Sequence, residues 1–249
     1  DAAGNVSADS NSVNVTTQAP PSAAFADSFT GADGAAWSSA WTTSATSGTV
    51  DLQSNAGRLA VSDTTGALAR AQLTGPSAIT DTDLVFSYQW SSASAAAYLS
   101  AFVRGTGGWA NAYRPRNGYG LQLQSNSGTV LLQKVVNGTT TTIRTLTAAQ
   151  SVTTAKQWVR LRAVGSTLQV RTWLDGQAEP STWRSTDTDT DVPTGGQVHL
   201  SLVRAGSNVG AKSVLVDDLT VTNLASVPPA DTTPPTAPTG LAASNVGAT

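Results

Sequence analysis

Carboxylates, a single imidazole and a set of aromatic and arginine side chains are the groups in this sequence that could do chemistry. Cleavage of a glycosidic bond takes two carboxyl groups at a fixed separation, one as acid and one as nucleophile or base. Glu179 is the sole glutamate. The clustered aspartates are Asp187, Asp189 and Asp191 in a TDTDTD run, which reads as a solvated turn, and the Asp217–Asp218 pair. A Ser-His-Asp relay would have to use His199, the sole histidine. Its alternation with Val198, Leu200 and Leu202 puts it on the sheet face opposite the core, as a structural or surface residue. GTGG at 105–108 lacks the lysine and following helix of a phosphate loop, and HExxH is absent. The segment therefore reads as non-catalytic.

Aspartate also falls where a carboxylate is costly. FADSF puts Phe25, Asp27 and Phe29 on one face of a strand, and VDDLTV does the same with Asp217, Leu219 and Val221. A buried carboxylate needs a cation or several hydrogen-bond donors. Either each is satisfied locally, Asp27 by capping a turn and Asp217 by an arginine such as Arg70, Arg104 or Arg204, or they share an ion.

Period-2 alternation sorts the aromatic and arginine residues. With Val159, Leu161 and Ala163 inward, Trp158, Arg160 and Arg162 point outward; with Leu168, Val170 and Leu174 inward, so do Gln169, Arg171 and Trp173. Tyr119, Leu121 and Leu123 inward leave Gln122 and Gln124 on the opposite side. Together these read as one outer face of Gln, Arg and Trp. Flat rings stack on sugar C–H faces while amides and guanidinium forks grip hydroxyls, so such a face could hold a glycan. The alternative is cation–π packing of rings over arginine stems, which needs no ligand. A second candidate is the segment 105–120, read as a long loop carrying Trp109, Tyr113, Arg114 and Arg116; aromatic-plus-arginine sets on long loops are typical of binding sites. Against this, Trp109 could simply cover a sandwich edge. Trp37, Trp41 and Trp183 are expected to pack over the sheet ends.

The elements that must position these groups are strands. Thr, Ser, Val, Ala and Gly dominate the 249 residues and only 12% are charged. Alternating runs recur between Gly, Asn and Ser: FADSF, GRLAV, DLVFSYQW, AYLSAFVR, GYGLQLQ, TVLLQKVV, WVRLRAV, TLQVRTWL, QVHLSLV and SVLVDDLTV. These predict an all-β, two-sheet antiparallel sandwich. Cysteine is absent, so neither disulfides nor thiolate metal sites are available. Fourteen Lys and Arg against 16 Asp and Glu give a net charge of −2, which offers no basic field for nucleic acid. No run approaches the roughly 18 apolar residues of a membrane helix, so no membrane insertion is expected, and any export signal is expected upstream.

The ends differ from the middle. DAAGNVSADSNSVNVTT at 1–17 resembles the closing strands of a bacterial fibronectin type III module, and DTTPPTAPTGLAAS at 231–244 resembles the linker and first strand of the next. Pro20, Pro21, Pro228, Pro229, Pro234 and Pro235 give the flanks the stiffness of linkers. The expected divisions are a module remnant plus linker at 1–22, a sandwich at 23–224, and a linker with the start of a further module at 225–249. Within the middle, FADSFTGADGAAW, WVRLRAVGSTLQVRTWLDGQAEPSTW and VLVDDLTV resemble the phrasing and order of the concanavalin A-like lectin/glucanase (laminin-G-like) jelly roll of actinobacterial-type secreted proteins. The resemblance implies that the first and last strands pair, which would bring Asp27 to Asp217 or Asp218 as a hard oxygen site for structural Ca2+. The E-x-D-x-E strand of the catalytic branch is missing. The expected protein is therefore a secreted or cell-surface module, carbohydrate-binding or adhesive, with a polysaccharide or cell-surface glycan and neighbouring fibronectin type III modules as partners. Two further readings are a spacer in a surface filament, adhesin stalk or phage tail fibre, and an accessory domain of a polysaccharide-degrading enzyme.

Overall fold

The computed structural model describes residues 23–76, 78–93, 96–151, 153–205 and 210–224; both expected fibronectin-like ends lie outside the described residues. Every described element is a strand, in chain order β1 (Ala23–Asp27), β2 (Trp41–Thr46), β3 (Gly48–Leu52), β4 (Gly57–Val61) and β5 (Leu68–Leu73). Then come β6 (Thr82–Trp90), β7 (Ala97–Ala110), β8 (Arg114–Gln124), β9 (Thr129–Val136) and β10 (Thr139–Thr147). The last five are β11 (Gln157–Val164), β12 (Thr167–Leu174), β13 (Ser185–Thr188), β14 (Gln197–Arg204) and β15 (Lys212–Asn223).

They form the expected two antiparallel sheets. The larger runs β13-β12-β11-β6-β15-β4-β3, with β1 also paired to β15, and the smaller runs β10-β9-β8-β7-β14-β5-β2. The core is made by the inward residues that alternation selects. Leu84, Phe86 and Tyr88 of β6 and Val159, Leu161 and Ala163 of β11 meet Leu99, Ala101 and Val103 of β7 and Tyr119, Leu121 and Leu123 of β8. Each fully buried large apolar side chain of this kind contributes roughly 1.5–3 kcal/mol. Four strands that the alternation does not mark, β2, β3, β10 and β13, are the four sheet edges. Edge strands such as WTTSAT and TTTTIRTLT carry polar residues on both faces, so period 2 is invisible in them. In β5 the inward residues include Ala69 and Ala71, too small to stand out.

Two expected rows of apolar residues break. In β15, Val214 and Val216 face the core before a bulge at Asp217–Asp218, and Leu219 and Val221 face it after. Asp218 takes φ 50°. The extra residue shifts the alternation, so Asp217 does not share a face with Leu219 and Val221 but points outward with Leu215. Similarly Phe29 lies beyond β1 with φ 50°, and packs on Trp37 at 4.7 Å between ring centroids and on Trp41 at 6.1 Å.

One pole is organised by Arg104. Its guanidinium, 1% exposed, donates to the carbonyls of Thr80 at 2.6 Å, Val192 at 2.9 Å and Gly165 at 2.9 Å. Three connecting segments are thus held to one cation. Burial lowers the Arg104 pKa, opposed by the charge of Asp81.

Candidate functional site

The expected single face of Gln, Arg and Trp is two faces. β11 and β12 belong to the larger sheet and β8 to the smaller, so Gln122 and the Trp158/Arg160/Arg171/Trp173 set look out from opposite sides of the sandwich. Alternation states which side of a strand a residue takes, not which sheet the strand joins.

On the larger sheet, Trp158 stands opposite Trp173, with ring planes 9° apart and centroids 5.8 Å apart. Trp158 Nε1 donates to Asp175 at 2.7 Å. The arginines beside them are committed. Arg160 donates to Asp83 at 2.6 Å and Glu179 at 2.8 Å, and Arg171 to Glu179 at 2.8 Å and the Ser181 carbonyl at 2.7 Å. Trp183, expected at a sheet end, instead lies over Arg171 at 3.8 Å and Arg162 at 4.9 Å. The ring packing on arginine is therefore done by Trp183, while Trp158 and Trp173 stack on each other.

A groove crosses the same face. From Trp158, the cross-strand neighbours run to Ser87 on β6 and then Asp217 on β15, and one row on from Gln89 to Leu215 and Arg58 on β4. Two adjoining depressions of about 170 and 350 Å³ lie here and share Gln89 and Leu215. Leu215 is the apolar floor, Gln53, Ser213 and Thr154 supply an amide and hydroxyls, and Ser87 lies buried beneath with its hydroxyl on the Asp217 carbonyl. Arg58 is fixed on the rim by a fork to Asp51, 2.7 Å from Nε and 2.5 Å from the terminal nitrogen, which raises its pKa. Lys156 stands over Trp158 at 5.8 Å. Such a lining presents polar groups to hydroxyls and an apolar strip to C–H faces. Gln53, Arg58, Gln89, Lys156 and Leu215 were not among the expected site residues. Alternation puts Gln89 and Leu215 outward, but only strand order makes them neighbours.

On the smaller sheet the segment 105–120 is a hairpin, not a long loop. β7 and β8 continue to Ala110 and Arg114, with register shifts between Val103 and Thr106 and between Thr106 and Trp109. These bulges and the positive φ of Gly107 and Gly108 bend the tip back over the sheet's outer face. There Trp109 meets His199 edge to face at 4.8 Å, with Arg70 over its ring at 5.0 Å. Arg114 stacks on Tyr113 at 4.3 Å and donates to Gln122 and, at 3.3 Å, to Gln133. Four expected residues, Trp109, Tyr113, Arg114 and Gln122, thus come together, while Arg116 is exposed with its stem against Gly107. His199 faces away from the core as alternation requires, yet the hairpin buries it, and that burial pulls its pKa down to about 4.

The candidate metal ligands are spoken for. Asp27 accepts from the Phe29 amide at 2.8 Å, Trp41 Nε1 at 2.9 Å and Ser38 Oγ at 3.2 Å. β1 and β15 do pair, with Asp27 opposite Leu219, but Asp217 and Asp218 turn to Lys156 at 3.2 and 3.7 Å. Among the described residues no three acidic or histidine side chains gather as a metal site. These donors do not compose an oxygen cage for calcium, which takes six to eight oxygens. Of the TDTDTD aspartates, Asp187 is buried and Asp189 largely so, both engaged, while Asp191 is engaged yet stays half exposed as a solvated turn requires. Arg144 donates to Asp187 at 2.5 Å, Tyr119 to Asp189 at 2.7 Å, and Lys134 to Asp189 and Asp191 at 2.6 and 2.5 Å.

No family model matches the chain, and no curated protein matches it. Solved structures do. The exoplasmic/lumenal domain of VIP36, in its Ca2+- and Man3GlcNAc-bound form, aligns at TM-score 0.58 and 14% identity over 78% of this chain and 90% of that one. Lectin UEA-II complexed with galactose aligns at 0.55 and 11% over 80% and 97%. Carbohydrate-binding module CBM66 from Bacillus subtilis aligns at 0.51 and 16% over 74% and 95%. At these identities the likeness establishes the fold: a lectin-like jelly-roll sandwich, as the concanavalin A-like phrasing implies. Among the described residues no helix is long and apolar enough to cross a membrane.

Proposed function

We propose that this chain is a non-catalytic carbohydrate-binding module of an extracellular modular protein, and that it holds a polysaccharide or cell-surface glycan along the outer face of its larger sheet. The observation that carries this reading is the pair of joined depressions over Leu215, between amides, hydroxyls and a fixed Arg58, which the strand register sets beside the Trp158 ring. Its lining comes from β6, β15 and β4 and from the segments just before β4 and β11, so an extended chain can cross the strands. Support for a non-catalytic role comes from Glu179, the sole glutamate, whose carboxylate is taken by Arg160 and Arg171. In this reading the flanking fibronectin type III modules space the sandwich from its neighbours, and ligand binding draws on no calcium at Asp27, Asp217 and Asp218.

Glycan-array and polysaccharide pull-down binding of the whole chain tests it. Loss of one stacking ring is worth about 0.5–1.5 kcal/mol beyond area burial, so Trp158→Ala should weaken binding up to about tenfold, and Gln89→Ala should weaken it as well. Absence of binding to every glycan, or binding that neither substitution changes, would sink the proposal.

A further inference from the structure

Beneath the hairpin tip lies a polar floor that the tip does not satisfy. Its rows follow from the register: His199 pairs with Phe102, and Ser201 pairs with Ser100, which pairs with Gln122. His199 is 1% exposed, Ser100 0% and Arg114 8%. Yet His199 Nε2, Ser100 Oγ and Arg114 Nε have no hydrogen-bond partner. Buried polar groups are nearly always paired, and each orphan costs about 1–3 kcal/mol. Three on one small patch are unexpected in a surface that is only packing.

The cover over them is held through side chains and not through a backbone ladder to a neighbouring strand. Ser201 Oγ donates to the Tyr113 carbonyl at 2.7 Å, Arg70 to the Ala112 carbonyl at 2.6 Å and the Asn111 side-chain amide to the Gly138 carbonyl at 2.6 Å, and Arg114 reaches Gln122 and Gln133. The tip joins the sheet through two bulges and through Gly107 and Gly108 at φ 76° and 67°, a backbone that can swing without disturbing the core face of β7. Asn111 and Ala112 also sit at positive φ, which for alanine is strained. The closed tip therefore rests on side-chain bonds that can be exchanged, against three orphans and a strained turn.

From this arrangement we infer that the patch formed by Ser100, Gln122, His199 and Ser201 is a second ligand site, for a single sugar ring or similarly compact polyol, and that residues 107–114 are its hinged cover. A polyol supplies both donors and acceptors, which an imidazole nitrogen, a hydroxyl and a guanidinium N–H together require. Trp109 and Tyr113 on the underside of the cover give the ring faces for its C–H side. The site looks out from the side of the sandwich opposite the groove, and does not depend on the groove being a glycan site.

The chain has no cysteine, so one introduced thiol is a clean reporter. Ser100→Cys places it under the cover, and Ala101→Cys, at a position also 0% exposed, places it one residue away on the core face. Opening of the tip alone should make the thiol at position 100 react with a thiol reagent at least roughly tenfold faster than the thiol at position 101, since local opening needs less free energy than global unfolding. Equal rates would overturn the cover. In the unsubstituted chain, titration with mannose, galactose, glucose and fructose should move the His199 imidazole signal for at least one of them. It should do so equally in Trp158→Ala, where the groove is disabled. An unmoved His199 signal across all four sugars would overturn the ligand class, and movement lost in Trp158→Ala would assign the effect to the groove instead.

Discussion

His199 shows how one buried side chain ties stability to pH. Its ring is sealed between Gly105, Trp109 and the sheet, and burial holds its folded pKa at about 4 against an ordinary 6.5. Between those values the unfolded chain binds a proton that the folded chain refuses, so stability is complete above about pH 6.5 and falls as the pH drops toward 4. At about 1.4 kcal/mol per unit, the loss reaches roughly 3 kcal/mol. The expected result is a melting temperature that declines over this window in the native sequence and declines much less in His199→Asn; identical pH profiles would refute it. The side of the strand His199 occupies was legible from QVHLSLV. Its burial was not, because Trp109, which covers it, comes from a hairpin tip and is itself capped by Arg70 of another strand. The same holds for Asp27, whose need for donors was visible in FADSF, while the donors themselves, Ser38 and Trp41, lie beyond any local pattern.

At the scale of elements, the informative places are where strands depart from regularity. The bulge at Asp217–Asp218 turns Asp217 outward to Lys156. Deleting Asp218 removes the extra residue and should leave Val214, Val216, Leu219 and Val221 all on the core face, so the variant should keep its folded circular-dichroism signal. Inserting a further residue there should instead drive one of the two pairs out of the core; an unfolded deletion variant would count against this account of the register. Arg104 is the other such device, one cation closing three segments through their carbonyls. Arg104→Met would leave those carbonyls without their donor and should cost about 3 kcal/mol, a drop in melting temperature on the order of 10 °C for a domain of this size. Central strands were readable because both their periodicity and their core residues are strong. Edge strands and bulges escape such reading, since the first lack an apolar face and the second break the period on which it depends.

For the whole molecule, back-to-back sheets give two outward surfaces, one open and grooved, the other roofed by a hairpin. That division could not be read from alternation, which is why Gln122 and Trp158 looked like neighbours until strand order separated them. Calcium bears on the same scale, because the carboxylates that would hold it, near the β1–β15 junction, already have donors of their own. Melting temperatures in excess calcium and in EDTA should agree within about 1 °C; a clear upward shift with calcium would show an ion site that these residues do not reveal. The pairing of β1 with β15 has a mechanical corollary. Ala23 stands opposite Thr222 and Asp27 opposite Leu219, so the first strand's start and the last strand's finish leave the sandwich side by side. A pull applied through the two flanks then loads that ladder at one end and opens it bond by bond, in the manner of a zipper, instead of loading all its bonds at once in shear. In single-molecule stretching, β1 should peel away at low force while the rest of the sandwich stays intact, giving the sandwich a soft first extension before its core resists.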